Sequence, residues 1–459
     1  MFKQHSFLRM KPNRYELVNP KEPNLYRELF PYETIPRLAF DDLAVPVSPP
    51  KDIWITDTTF RDGQQARAPY SPGQIGRLYG LLHRLGGDQG MVRTCEFFLY
   101  TAKDREAVEI CRAQGRKYPQ ITGWIRADAK DLEIVKQMEL EETGILTSAS
   151  DYHIYLKLGL DRAKAMEHYL DIVGRALEAG IRPRCHIEDA TRADFYGFVV
   201  PFVQELMRLS EEAKMPVKVR ACDTLGYGVT YPGASIPRSV NGIIYGLVHH
   251  AGVPSEWLEW HGHNDFYKVL TNASTAWLYG CCAANGTLLG IGERTGNTPI
   301  EGLVFEYMGL RGTDHGMQTQ VITEIAEYFR KEIGMEIPPS QPFVGRDFNV
   351  TRAGIHADGL LKDEEIYNVF DTDALLNRPV AVAIAETSGA AGIAHWINGN
   401  YDLGPERRVE KSHPGVAKIG AAIGKEYEAG RTTNISNAEM DRLVKEHLPE
   451  LADCELNSR

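Results

Sequence analysis

Two histidines at alternate positions, His261 and His263, end an apolar run, Trp257-Leu258-Glu259-Trp260. Side chains two apart on a strand point to the same face. Both imidazoles can therefore aim at one point, and two neutral imidazoles on one face make half of a divalent-metal site. Far upstream, the run Ile55-Thr56-Asp57-Thr58-Thr59-Phe60 leads into Arg61-Asp62-Gly63. Asp62 offers a carboxylate oxygen next to a guanidinium. Asp62, His261 and His263 together leave open positions on an octahedral ion for a bidentate ligand and a water. Arg61, beside that ion, could stabilise charge developing on a carbonyl oxygen. By itself, though, a His-x-His pair is more often structural, and an Arg beside an Asp is often a plain ion pair.

The elements that must hold these groups recur as strand then helix. Strand-like runs fall at 53–55, 93–98, 121–125, 144–147, 183–187, 217–222, 258–263 and 286–291. Helical patterns lie between them. Ser71-Pro72 caps a helix carrying Ile75, Leu78, Leu81, Leu82 and Leu85 on one face, closed by Gly86-Gly87. Eight such repeats predict an α/β fold, a closed (β/α)8 TIM barrel, with an open doubly wound sheet as the alternative. Reactive residues end nearly every strand: Arg61-Asp62, Glu96, Arg126, Ser148, Glu188-Asp189, Asp223-Thr224, His261 with His263, and Glu293. A barrel gathers all of these at one mouth, whereas one open-sheet crevice would not need all eight.

Four regions are expected. A proline-rich arm, 1–50, lies irregularly on a surface, its aromatics Tyr26, Phe30, Tyr32 and Phe40 favouring docking. The barrel occupies 51–310. A helical linker follows over 311–342, with Val321, Ile325, Ala326 and Phe329 on one face and a proline-rich end. A smaller, mostly helical C-terminal subdomain fills 343–459, its last stretch charged and expected to face solvent.

The chain of 459 residues is 43% apolar and carries a net charge of −11. That charge and the lack of a basic block argue against nucleic acid or an anionic membrane as partners. No apolar run reaches spanning length, and Met1-Phe2-Lys3-Gln4-His5 does not begin a secretory signal. Seven scattered cysteines suit a reducing compartment, the cytoplasm. Cys185 and Cys222 read as small strand residues, and Cys281-Cys282 as part of a helical run.

The Arg-Asp-Gly and His-x-His stretches resemble the signature of the metal-dependent acyl-CoA condensing enzymes. These are the isopropylmalate, homocitrate and Re-type citrate synthases of the DRE-TIM metallolyase superfamily, with their lyase relatives. The resemblance covers about residues 50–395 and includes Gly292-Glu293-Arg294-Thr295-Gly296-Asn297 and Gly354-Ile355-His356. It implies Asn297 as a further metal ligand, and Arg61, Gln65, Arg184, Thr224 and Glu259 as substrate-binding groups. It implies catalytic roles for Arg61, Glu188, His356 and Tyr367, leaving open whether His356 or Glu188 takes the proton. Arg184 is expected to hold the second carboxylate of a dicarboxylic 2-oxo acid. The implied cofactor is a divalent metal, manganese first, with cobalt, magnesium and zinc as alternatives. The implied assembly is a homodimer whose C-terminal subdomain reaches the partner's barrel.

Within that family, Cys95-Glu96-Phe97-Phe98-Leu99-Tyr100, Arg220 to Gly228 and the N-terminal arm look most like the Re-type citrate synthases. These would join acetyl-CoA to oxaloacetate in the tricarboxylic acid cycle. Homocitrate and isopropylmalate synthesis are the runners-up, followed by an acyl-CoA lyase or aldolase, and last a degenerate barrel acting only as a binding subunit. Two motifs depart from the common pattern: Gln64 replaces a glutamate, and Thr387-Ser388-Gly389 replaces His-Ser-Gly.

Overall fold

The computed structural model describes residues 14–456 apart from Arg37, Asp42 and Asp402. The expected arm's residues 1–13 and the last three positions of the C-terminal region lie outside the described residues. The chain forms two compact units, Met1–Gln318 and Thr319–Arg459.

In the first unit eight parallel strands close into a barrel in sequence order. They are β1 (Trp54–Asp57), β2 (Val92–Phe97), β3 (Gln120–Arg126), β4 (Glu142–Ser148), β5 (Arg182–Glu188), β6 (Lys218–Asp223), β7 (Leu258–Gly262) and β8 (Ala283–Gly286). Helices follow the strands: α1 (Pro72–Gly86), α2 (Ala102–Ala113), α3 (Ala129–Gln137), α4 (Arg162–Glu178), α5 (Val200–Ala213), α6 (Val240–His249), α7 (Val269–Leu278) and α8 (Ile300–Arg311). Helix α1 starts as its sequence predicts. Ser71 Oγ accepts from the Gln74 amide, Gln74 returns a bond to the Ser71 amide, and Gly87 ends the helix with φ +65°.

One strand differs from expectation. The eighth is Ala283-Ala284-Asn285-Gly286, and the apolar run after it is a tight turn, Leu288–Gly290, with Leu289 at φ 59°. Alanine, asparagine and glycine are poor strand formers, so the stretch looks like a loop in isolation. It is a strand because β1 and β7 flank it and pair with it on both edges. Cys281 and Cys282 accordingly precede β8 and lie outside the helix. All seven cysteines are free.

Barrel interiors usually hold stacked Val, Ile and Leu. This one is filled with charged and polar side chains. Glu96, Glu142 and Glu259 face Arg184, Arg220 and His186, all buried. Buried charges persist only when paired and hydrogen-bonded, and here they are. Arg184 donates to Glu142 Oε1 at 2.6 Å and to Glu96 Oε1 at 2.7 Å. Arg220 donates to Glu259 Oε2 at 2.7 Å.

Residues 14–50 have little regular structure and are tied to the barrel helices and loops by backbone bonds. Val18 donates to the Gly197 carbonyl, Ser235 to the Ala39 carbonyl and Ser48 to the Leu278 carbonyl. Phe30 is buried.

The second unit has its own core, built around Trp396, Ile397, Val416, Ile419, Met440 and Val444. Its helices include Val321–Lys331, Gly354–Lys362, Gly389–Asn400, Pro414–Glu428 and Asn437–His447. The last two correct the expectation of a solvent-facing tail. Their charges cover one face, while Val416, Ile419 and Ile423, and Met440, Leu443 and Val444, bury the other.

Candidate metal and substrate site

Strand β7 delivers His261 into the barrel, and His263 follows just beyond its end. The loop after β8 folds back beside them, with His263 and Asn297 paired as an antiparallel bridge. Two glycines permit this fold. A Cβ at Gly292 would lie 2.0 Å from Asn297 Oδ1, and Gly296, at φ +92°, would clash with the Gly290 carbonyl. Arg294 then clamps the loop, donating to Asp265 Oδ1 at 2.9 Å and to the Thr224 carbonyl at 2.6 Å. On the other flank of β8, the loop after β1 delivers Arg61 and Asp62.

The result is a buried cluster. One ligand atom from each of Asp62, His261 and His263 lies within 4.8 Å of the others. Asp62 Oδ2 is 3.4 Å from His261 Nε2 and 3.5 Å from His263 Nε2. The two Nε2 atoms are 3.3 Å apart. Asn297 Nδ2 donates to Asp62 Oδ2 at 2.6 Å, while Asn297 Oδ1 and His263 Nδ1 are buried without a hydrogen-bond partner.

Burial opposes the charge on Asp62. Arg61, the two imidazoles and the Asn297 amide nevertheless hold it well below the usual carboxylate range. Burial pushes His261 down to about 4 and lowers His263 as well. At neutral pH the cluster is thus one carboxylate and two neutral imidazoles. That donor set fits a divalent cation, and the unpartnered Asn297 oxygen fits a fourth ligand once its amide turns.

Arg61 bridges two acids, donating to Asp62 Oδ1 at 2.9 Å and to Glu96 Oε2 at 2.9 Å. Its guanidinium lies 5.0 Å from the Trp124 ring centroid. Thr224 follows β6, and its hydroxyl accepts from the Asp189 amide at 2.8 Å.

Three expected substrate groups are placed otherwise. Arg184 is the third residue of β5, not at its carboxyl end, and its donors are engaged by Glu142, Glu96 and Thr122. Glu259 is saturated by Arg220, Arg184 and the Thr56 hydroxyl. Gln65 is exposed, whereas its neighbour Gln64 is buried. Gln64 donates to the Phe60 carbonyl at 2.7 Å and accepts from the Tyr70 amide at 3.0 Å. The unusual Gln64 therefore braces the turn that presents Asp62.

Glu188 ends β5, one residue past the Ile187–Ala221 pair with β6, and β6 in turn pairs Cys222 with His261 of β7. It thus stands two strands along the barrel wall from His261. Sequence reasoning missed its partners. After β4 the chain makes a wide helical turn, Tyr152–Lys157. It brings His153 Nδ1 to 2.9 Å and Lys157 Nζ to 3.3 Å from Glu188 Oε2, which also accepts from Ser148 Oγ. Burial works to raise Glu188. The His153 bond and charge, with Lys157 and Ser148, outweigh it and hold Glu188 at about 2. A His and a Lys four apart on one turn were the available signal.

His356 and Tyr367 lie in the second unit, both exposed, with ring centroids 4.5 Å apart. The helix bearing His356 begins at Gly354, whose amide donates to the Thr387 carbonyl at 2.8 Å. Ser388 is buried and donates to the Arg352 and Ala383 carbonyls. Thr387 gives this turn a backbone carbonyl, which explains how another side chain can stand there.

Residues 52–329 match the HMGL-like family model. The chain belongs to the HMGL-like family. It is 57% identical to a citrate (Re)-synthase from Syntrophus aciditrophicus over 95% of this chain and 70% of that protein. It is 55% identical to a citrate (Re)-synthase from Clostridium kluyveri over 96% of this chain and 97% of that protein. Among solved structures, a Bacillus subtilis HMG-CoA lyase aligns with TM-score 0.50 at 18% identity, over 63% of this chain and 96% of that one. That likeness concerns the barrel fold. The HMGL-like match spans every barrel strand and so includes Asp62, His261, His263 and Asn297. Among the described residues, no helix is long and apolar enough to cross a membrane.

Proposed function

We propose that this chain is a Re-type citrate synthase, an acyltransferase that condenses acetyl-CoA with oxaloacetate to give citrate and CoA. The observation that carries this reading is the identity of 57% and 55% to two citrate (Re)-synthases along nearly the whole chain. The buried Asp62, His261 and His263 cluster supports it chemically.

Asp62, His261 and His263 would hold a divalent metal, manganese in the first instance, with Asn297 as a further oxygen ligand. When bound, such an ion polarises the ketone of a 2-oxo acid. Arg61, fixed between Asp62 and Glu96, adds a positive edge where negative charge grows on that ketone oxygen. A proton leaves the methyl group of acetyl-CoA, and the enolate carbon attacks the ketone carbon. Water then cleaves the citryl thioester, releasing citrate and CoA. Glu188, held at about 2 by His153 and Lys157, is a weak proton acceptor at neutral pH. This favours His356, with Tyr367 against it, as the base. The reading includes a cytoplasmic homodimer in which these two residues serve the partner's barrel.

The test is thiol release from acetyl-CoA by manganese-loaded protein given oxaloacetate, 2-oxoglutarate or 3-methyl-2-oxobutanoate separately. Turnover with oxaloacetate alone is expected. Preference for either other acid would overturn the substrate and keep the chemistry.

A further inference from the structure

Two arms of hydrogen bonds run from the metal cluster into the barrel and meet beneath it. One leaves Asp62 through Arg61 to Glu96. The other leaves His261: its Nδ1 lies 2.8 Å from Asn285 Oδ1, Asn285 Nδ2 lies 3.0 Å from Thr56 Oγ1, and the Thr56 hydroxyl bonds Glu259. Arg220 closes the ring, donating to Glu259 at 2.7 Å and to Glu96 at 3.1 Å. The register makes the second arm possible, because Thr56 and His261 both pair with Asn285 across neighbouring strands.

The direction of each bond in the second arm follows from its far end. Glu259 stands as a carboxylate between two guanidiniums: Arg220 donates to Oε2 at 2.7 Å and to Oε1 at 3.1 Å, and Arg184 Nε lies 3.3 Å from Oε2. A carboxylate only accepts, so the Thr56 hydroxyl must donate to it. The Thr56 oxygen is then left to accept, which it does from the Asn285 NH2. That orientation turns the Asn285 carbonyl toward His261, and a carbonyl there requires a proton on Nδ1. Nε2 is left with a lone pair aimed at Asp62 and His263.

We propose that Asn285, oriented through Thr56 by the charge of Glu259, is the positioning residue that locks His261 in its metal-binding tautomer. His263 has no such support, since its Nδ1 is buried without a partner. The sequence stretch alone did not single out Asn285, and its side chain does not reach the ligand atoms of the cluster; it acts only through His261. This inference rests on the metal site of the proposed function.

The experiment is manganese titration by calorimetry on the full chain after stripping with a chelator, with a melting curve for each protein. Asn285→Ala is expected to weaken manganese binding about 10–100-fold, the usual cost of losing such a support. Asn285→Asp still accepts from Nδ1 and is expected to stay within about threefold. Thr56→Val, nearly the same shape, is expected to weaken binding several-fold by freeing the amide to turn. It serves as the test should Asn285→Ala fail to fold. Parental affinity in both Asn285→Ala and Thr56→Val would overturn the ring while leaving the metal site standing. A parental protein that binds no divalent ion would overturn the metal site itself.

Discussion

At the scale of single residues, Arg61 makes the clearest prediction. Its Nε and a terminal nitrogen serve two different acids, and its plane lies over Trp124. A lysine carries the charge but cannot bridge both acids in one plane. Arg61→Lys is expected to lower kcat about 100-fold at saturating manganese, with the fold intact by circular dichroism. Steady-state kinetics at fixed metal would check it, and a kcat within threefold of the parent would remove Arg61 from the chemistry. Asp62, His261 and His263 were legible in the sequence because their geometry is local: strand parity aims both imidazoles, and adjacency puts a guanidinium beside the carboxylate. Asn285, His153 and Lys157 were not. Each matters only for what another strand or turn places opposite it, and nothing nearby in sequence announces that.

Among the elements, the barrel strands were readable wherever β-branched and aromatic residues were dense. β8 was not, because its stability comes from two flanking strands and not from its own side chains. The same holds for the ionic interior. Arg184 looks like a strand-end cation in sequence, yet it sits low in β5 against Glu96, Glu142 and Glu259. Breaking one member of a buried charge network leaves unpaired charge behind. Arg184→Met is therefore expected to destabilise the first unit by about 3 kcal/mol, seen as a lower melting temperature. A variant that melts like the parent but needs far more oxaloacetate would return Arg184 to substrate binding. The turn at Tyr152–Lys157 makes a second prediction. With His153→Gln the largest opposing influence on Glu188 is gone, and burial raises its pKa. Glu188 is charged above its pKa, so its carboxyl, followed by NMR, is expected to take up its proton at a higher pH in the variant than in the parent. Lys157 and Ser148 still hold it low, so kcat/KM profiles between pH 4.5 and 8 should superimpose, and an acid limb that moves with the substitution would make Glu188, not His356, the base.

For the molecule as a whole, two units with separate cores predict that metal stabilises one of them and not the other. All three cluster residues belong to the first unit. A ligand that binds only the native state adds about 2.7 kcal/mol at a hundred times its dissociation constant. Calorimetry with manganese is therefore expected to raise one melting transition and leave a second, from residues 319–459, where it was. The pH dependence of that rise follows from the cluster's own titration. Protons compete with metal only as pH falls toward the ligands' pKa values. An exposed histidine begins to lose this competition near 6.5. Burial holds His261 at about 4 and lowers His263, and the Arg61 guanidinium with the Asn297 amide holds Asp62 well below the usual carboxylate range. The manganese-induced rise should thus be nearly the same at pH 7.5 and pH 5.5, and should shrink as pH approaches 4. A rise already lost at pH 5.5 would mean that the imidazoles titrate as exposed groups do, and that the ion is held somewhere other than this buried cluster.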